Sequence, residues 1–287
     1  MANERVLTAA QVAAGGVDAA TVDALHLAEG PHDLIVLPEI ANVPYFPVAP
    51  DLGEWLADTL ADQDTESVFA PYRRLARRTA CYVVAGLCLP GPDRIRNAAV
   101  VFDRAGEVLP GRGMLSGDEV LVYDKTHLCN VRHYGSVFLE DQYFQPGPEL
   151  VVWNLDFARL GVLICYDRHF PEAWSTLRAG EVGIVAVPTA SPAGTAPTFL
   201  AEMQAMALQQ SVYAVVANRV GPESLPGGTT VDYLGRSAVL GPDGTVLNSA
   251  DRGPFEQASA PYDEAHLDSV RAAMGLAASR RPALYRL

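Results

Sequence analysis

The chain has 287 residues, enough for one large α/β unit with a sizeable core. Hydrophobic residues make up 49% and charged residues 19%, a balance that excludes a disordered chain. A formal net charge of −13 argues against a nucleic-acid backbone or an anionic membrane as the main partner.

Strand-like and helix-like segments alternate along the chain. Arg5 to Val12 reads as a strand and Ala19 to Ala28 as a short helix. Asp33 to Leu37 is a compact apolar run that ends at Pro38-Glu39. Glu66 to Thr79 reads as a helix with its basic residues late, where they suit the dipole. Tyr82 to Leu89 and Asn97 to Asp103 read as strands, the second running into a hairpin turn over Asp103 to Glu107. Leu121 to Tyr123 leads into Asp124-Lys125. Leu150 to Leu155 and Arg159 to Ile164 read as a second hairpin, turning near Asp156-Phe157-Ala158. Pro171 to Ala179 reads as a helix with proline in its first turn and Gly180 at its end.

Val182 to Val187 and Val212 to Ala217 read as buried strands on either side of a helix over Pro197 to Gln210. That helix places Leu200, Met203, Met206 and Ala207 on one face. Tyr233 to Leu240 pairs with Thr245 to Leu247 across Gly241-Pro242-Asp243-Gly244. The hairpins exclude a purely parallel sheet and predict a mixed sheet packed with helices. No repeat, low-complexity tract or composition shift marks a linker, so residues 1–287 read as a single domain. No apolar stretch approaches the roughly 18–20 residues of a membrane span. The polar start at Met1 carries no signal-peptide pattern, and four cysteines in this length read as free thiols of a reducing cytoplasm. Cys81 and Cys88 sit in an apolar run and read as structural.

Three segments each deliver one reactive side chain at the end of an apolar strand, where α/β folds place their sites. They are Leu34 to Glu39, Leu121 to Lys125, and Gly161 to Cys165. Singly, each has an ordinary reading: a solvated carboxylate, a solvated amine, a structural thiol. Together they meet a chemical need. A cysteine nucleophile requires a base to form the thiolate and a cation to hold developing negative charge. Glu39 and Lys125 supply both. A Cys–His pair is the competing reading, with His127, His133 and His169 as candidates. The histidines show no clustered metal-ligand spacing, and neither a metal nor an organic cofactor is expected.

Pro38-Glu39, Asp124-Lys125-Thr126-His127 and Ile164-Cys165-Tyr166-Asp167-Arg168-His169-Phe170-Pro171-Glu172 resemble, in order, the three signature segments of the nitrilase (carbon–nitrogen hydrolase) superfamily. Glu140 to Gly147 resembles the segment carrying a second active-site glutamate. Ala217-Asn218-Arg219-Val220-Gly221 resembles the stretch after a late core strand, and Arg280 to Tyr285 the family's C-terminus. The resemblance implies a four-layer α-β-β-α sandwich, a homodimer or larger homo-oligomer, and a Glu39-Lys125-Cys165 triad passing through a thioester. It gives Glu140 the task of positioning Lys125 or substrate, and a backbone N–H near Tyr166 a share of the oxyanion. Asp124 stands where the family often has arginine; its carboxylate is expected to favour a protonated Lys125.

Arg168 lies three residues after the nucleophile, as in members acting on N-carbamoyl amino acids, including β-ureidopropionase-like enzymes. A guanidinium there is suited to grip a carboxylate, which favours an N-carbamoyl amino acid or small carboxylated amide as substrate. The alternative is a structural pairing of Arg168 with Asp167 or Glu172. Tyr45, Phe46, Tyr134, Tyr166 and His169, with Phe138 and Trp174, are candidates to surround the substrate. Simple amidase, N-carbamoyl amine hydrolase, nitrilase, acyl transferase, metal-dependent hydrolase and non-catalytic scaffold remain as alternatives.

Overall fold

The computed structural model describes residues 5–15, 22, 32–61, 63–91, 93–133 and 135–285. The first half of the described chain contains β1 (Arg5–Ala10), β2 (Val12–Ala13), β3 (Leu34–Val36), α1 (Gly53–Leu60), α2 (Thr65–Thr79), β4 (Tyr82–Leu89), β5 (Arg96–Phe102), β6 (Gly111–Gly113), β7 (Glu119–Val120) and β8 (Tyr123–Asp124). There follow β9 (Arg132–His133), β10 (Ser136–Val137), α3 (Glu140–Tyr143), β11 (Val151–Asn154), β12 (Arg159–Val162) and α4 (Pro171–Ala179). The last part holds β13 (Ile184–Thr189), α5 (Phe199–Gln210), β14 (Tyr213–Ser224), β15 (Thr230–Leu234), β16 (Ala238–Leu240), β17 (Val246–Ser249), β18 (Gln257–Tyr262) and α6 (Glu264–Met274).

Two mixed sheets result. One runs in the order β18-β1-β3-β4-β5-β8, with β1, β3 and β4 parallel. The other runs β17-β16-β14-β13-β12-β11-β6-β7, with β12, β13 and β14 parallel and β15 and β2 paired to β14. The period-two alternation of side chains decides the layering. Leu34, Val36, Val84, Ala99 and Val101 face inward and pack with Val162, Ile184 and Val215 of the second sheet. Their neighbours Ile35, Val83, Ala85, Val100 and Phe102 face outward and meet Val68, Phe69, Tyr72, Leu75 and Ala76 of α2. On the far side, Trp174 and Leu177 of α4 and Phe199, Met203 and Ala207 of α5 cover the second sheet. The architecture is the four-layer α-β-β-α sandwich.

Helix α2 shows why these residues form these elements. Asp64 caps its start by accepting from the Ser67 N–H at 2.7 Å, Arg77 and Arg78 occupy its last turn, and Ala80 ends it in the left-handed region at φ 52°. The buried positions follow the helical period.

Several expectations change. Tyr233 to Leu240 is not one strand: Gly235 at φ 69° and Arg236 at φ 56° turn the chain, so β15 pairs with the end of β14 and β16 with its beginning. The apolar residue Leu121, expected to start a strand, is 52% exposed, and pairing begins only at Tyr123. The helix expected over Ala19 to Ala28 lies, save for Val22, outside the described residues. Helices α1 and α6 were not foreseen. All four cysteines are buried and unbridged. Among the described residues no helix is long and apolar enough to cross a membrane.

Candidate active site

The three reactive side chains stand just past the C-terminal ends of β3, β8 and β12. Leu37 donates to Val84 O and Ala41 to Gly86 O, so the loop bearing Glu39 runs along β4. Gly86 permits this close approach: a Cβ there would lie 2.6 Å from Pro38 O and 2.7 Å from Glu39 Cα. Lys125 is anchored by its N–H, which donates to Asn97 O at 2.9 Å at the start of β5.

Glu39, Lys125 and Glu140 are buried. The Lys125 Nζ donates to Glu39 Oε1 and to Glu140 Oε1, both at 2.7 Å. Asn97 Nδ2 donates to Glu39 Oε1 at 2.8 Å. Glu140 also accepts from the Tyr45 hydroxyl at 2.5 Å on Oε1 and from the Cys129 N–H at 2.7 Å on Oε2. Burial disfavours the Lys125 charge, but Glu140 and then Glu39 outweigh it and hold the ammonium well above the ordinary lysine value. Burial also pushes the Glu140 carboxyl above the usual range, with Lys125 opposing. Two carboxylates around one ammonium share protons as a unit. The oxygen of that unit with no hydrogen-bond partner among the described residues is Glu39 Oε2, and it is where a proton can be placed.

Cys165 occupies the left-handed region at φ 47°, at a sharp turn from strand to 3₁₀ helix. A non-glycine residue held in that region is strained and persists only where its surroundings fix it. Asp167 closes the turn: Oδ2 accepts from the Ile164 N–H at 2.9 Å and the Tyr123 hydroxyl at 2.8 Å. Oδ1 accepts from the His127 N–H at 2.8 Å and pairs with His127 Nδ1 at 2.8 Å, tying this turn to the Lys125 loop. Burial and the nearby Glu39 charge push the Cys165 thiol up, while Lys125 and Arg168 pull it down without reversing the sign. The resting sulfur is therefore a thiol that needs a base.

The sequence profile of the carbon-nitrogen hydrolase family matches residues 5–272. The chain belongs to this family. It is 30% identical over 232 residues to a nitrilase of Pyrococcus abyssi, covering 80% of this chain and 76% of that one. It is also 30% identical over 184 residues to N-carbamoylputrescine amidase of Arabidopsis thaliana, 60% of each chain. The fold matches a carbon-nitrogen hydrolase of Helicobacter pylori G27 with a TM-score of 0.80 at 22% identity, over 98% of this chain and 96% of that one.

In this carbon-nitrogen hydrolase a cavity of about 440 Å³ opens above Cys165. Cys129, Val131, Phe138, Tyr166, Ala190, Pro192 and Thr195 form much of its wall, joined by Arg132, Arg168, His169 and Ser191. Among the described residues the lining contains no carboxylate. Arg168 is buried and already engaged: Nε donates to Glu202 Oε2 at 3.2 Å and Nη1 to Cys165 O at 2.9 Å. Its partner is thus Glu202, neither Asp167 nor Glu172, because Asp167 is saturated by Tyr123, His127 and Ile164. Arg168 Nη1 also approaches Cys165 Sγ at 3.5 Å and Thr189 Oγ1 at 3.4 Å. His169 Nδ1 pairs with the same Glu202 on Oε1 at 2.5 Å.

Other expectations move as well. Tyr45 spends its hydroxyl on Glu140, and Phe46 packs on Tyr143 and Phe144; both are fully buried and outside the lining. Trp174 is buried too, donating to Arg168 O at 2.9 Å. Tyr134 lies outside the described residues. Asp124 does not act on Lys125: Arg96 holds it through two contacts of 2.7 and 2.8 Å. His127 is paired with Asp167 and stacked on Phe170 at 3.8 Å between ring centroids, contacts that tie it to the turn bearing Cys165. Asn97 and Arg219 were missed as supports for Glu39. The signal for Asn97 was a polar residue opening an otherwise apolar strand. Among the described residues no three His, Cys, Asp or Glu side chains cluster as metal ligands.

Proposed function

We propose that the protein hydrolyses a small N-carbamoyl amino acid or other carboxylated amide through a thioester on Cys165, with Glu39 as base and acid and Lys125 as the cation. The observation that supports this most is the buried Glu39–Lys125–Glu140 cluster, with one unpartnered carboxylate oxygen, next to a thiol that opens into a cavity. Glu39 takes the Cys165 proton, and sulfur bonds to the substrate carbonyl carbon as the π electrons move to oxygen. Lys125 and a backbone N–H near Tyr166 balance the oxyanion. The C–N bond breaks, and the leaving nitrogen takes the proton from Glu39. A water then gives a proton to Glu39 and attacks the thioester carbon; the C–S bond breaks and sulfur regains its proton.

An anionic far end of the substrate is supported by the charge of the lining. Arg132 is exposed at the cavity, and among the described residues the lining has no acidic group to neutralise a cationic tail. The relative named for N-carbamoylputrescine supports the carbamoyl group, and the apolar share of the wall suits a short aliphatic chain.

The test is ammonia release from a panel of N-carbamoyl amino acids, N-carbamoyl amines, neutral amides and nitriles. Turnover is expected first with the carboxylated members, sensitive to iodoacetamide, and absent in a folded Cys165→Ala variant. A folded Cys165→Ala protein with near-wild-type activity would sink the mechanism; a preference for cationic members would sink the substrate class alone.

A further inference from the structure

The loop that carries Glu39 contains a conformational anomaly. Ile40 sits in the left-handed region at φ 48° although it is β-branched and fully buried. A residue of that type in that region is strained and persists only where its surroundings over-determine it. Besides the backbone bonds along β4 and the packing of Ile40, one side chain holds three carbonyls of this turn. Arg219, in β14 and fully buried, donates from Nε to Glu39 O at 3.1 Å, and from Nη2 to Ile40 O and to Val43 O, the latter at 2.7 Å. Its Nη1 donates to Glu223 Oε1 at 3.3 Å, a buried ion pair four residues along the same strand.

Glu223 extends the brace. Its Oε2 accepts from the Tyr45 N–H at 3.0 Å, and the Tyr45 hydroxyl in turn donates to Glu140. One buried pair therefore reaches both carboxylates that flank Lys125: Glu39 through its own carbonyl, Glu140 through Tyr45. No step of the proposed reaction uses Arg219. A buried charge pair is a poor source of stability compared with apolar packing, which leaves geometry as the reason for it. The planar guanidinium places several donors at fixed angles, which a lysine ammonium does not reproduce.

We propose that Arg219, braced by Glu223, is a positioning residue that clamps the strained Glu39–Val43 turn and so aims the Glu39 carboxylate at Cys165. The inference rests on Glu39 acting as the base. Two variants test it, Arg219→Lys and Glu223→Gln, each first shown folded by circular dichroism and thermal unfolding. The readouts are kcat, KM and the pH dependence of Cys165 alkylation by iodoacetamide, followed by mass spectrometry. A fall in kcat of at least about tenfold with KM within about twofold is expected, because misplacing a catalytic group affects the chemical step more than binding. The alkylation profile is expected to move to lower pH, since the Glu39 charge that holds the thiol up is drawn away.

A folded Arg219→Lys protein with kcat within about threefold of wild type and an unmoved alkylation profile overturns the proposal. Should Arg219→Lys not fold, Glu223→Gln, which removes the charge bracing Arg219 Nη1 and so loosens the clamp, decides by the same two readouts. Should the wild-type protein turn over nothing in the panel, the proposed function fails, and the alkylation profile still decides whether Arg219 places Glu39.

Discussion

The floor and the mouth of the cavity are built on opposite terms. On the floor, Glu39, Lys125 and Glu140 have no more than 1% exposure, and Asn97, Tyr45 and the Cys129 N–H supply further donors at set positions. In that low-dielectric setting a missing partner is costly, so the floor tolerates one arrangement. At the mouth, Arg132, Tyr166 and His169 stand partly in solvent, where charges are screened and each contact is weak. The floor is over-determined in its geometry, whereas side chains at the mouth can change at little cost.

The strongest blow to this contrast is Lys125→Met. It leaves two buried carboxylates without their cation, and removing one member of a buried charge cluster costs roughly 3–5 kcal/mol. Urea unfolding at neutral pH is expected to show that loss, alongside loss of turnover. The sign with pH follows from the raised folded value of Lys125. Its contribution is complete below the unfolded-chain value of 10.5 and disappears only as the pH climbs through the folded value. The difference between variant and wild type is therefore expected to persist across neutral pH. An unchanged denaturation midpoint in Lys125→Met would mean the floor is not over-determined.

Gly86→Ala probes the same region by volume alone. The added methyl meets backbone at 2.6 and 2.7 Å, and backbone cannot swing aside as a side chain does. Stability is expected to drop by about 1–3 kcal/mol, with kcat falling up to about 100-fold as Glu39 is displaced. Wild-type kcat in this variant would show that the Glu39 position has slack. The smallest effect belongs to the mouth. Arg132→Leu is expected to raise KM for carboxylated substrates about two- to fivefold, leave KM for neutral amides alone, and leave kcat unchanged. A kcat defect there would blur the division between mouth and floor.

Much of this was legible in order along the chain. The apolar strands ahead of Glu39 and Cys165, the proline-started helix at Pro171, and the hairpin at Asp103 to Glu107 all follow from local periodicity and turn chemistry. That hairpin closes as expected, with Asp103 donating to Glu107 O at 2.8 Å and Gly106 at φ 77°. What failed depended on partners remote in sequence. Arg168 was read against its neighbours Asp167 and Glu172, but its partner Glu202 comes from α5. Tyr45 and Phe46 looked like pocket aromatics until the fold buried them. Arg219 looked like part of a family-like stretch, with no sign that it reaches back to Glu39.

The sequence by itself determined which residues are capable of the chemistry, because strand ends, helix caps and turn types are set by short-range sterics and hydrogen bonding. Only the tertiary structure decided which of those residues meet, and which arginine is buried against a carboxylate and which stands exposed at the cavity. A carboxylate finds its partner by burial and distance, and neither is a property of adjacent residues.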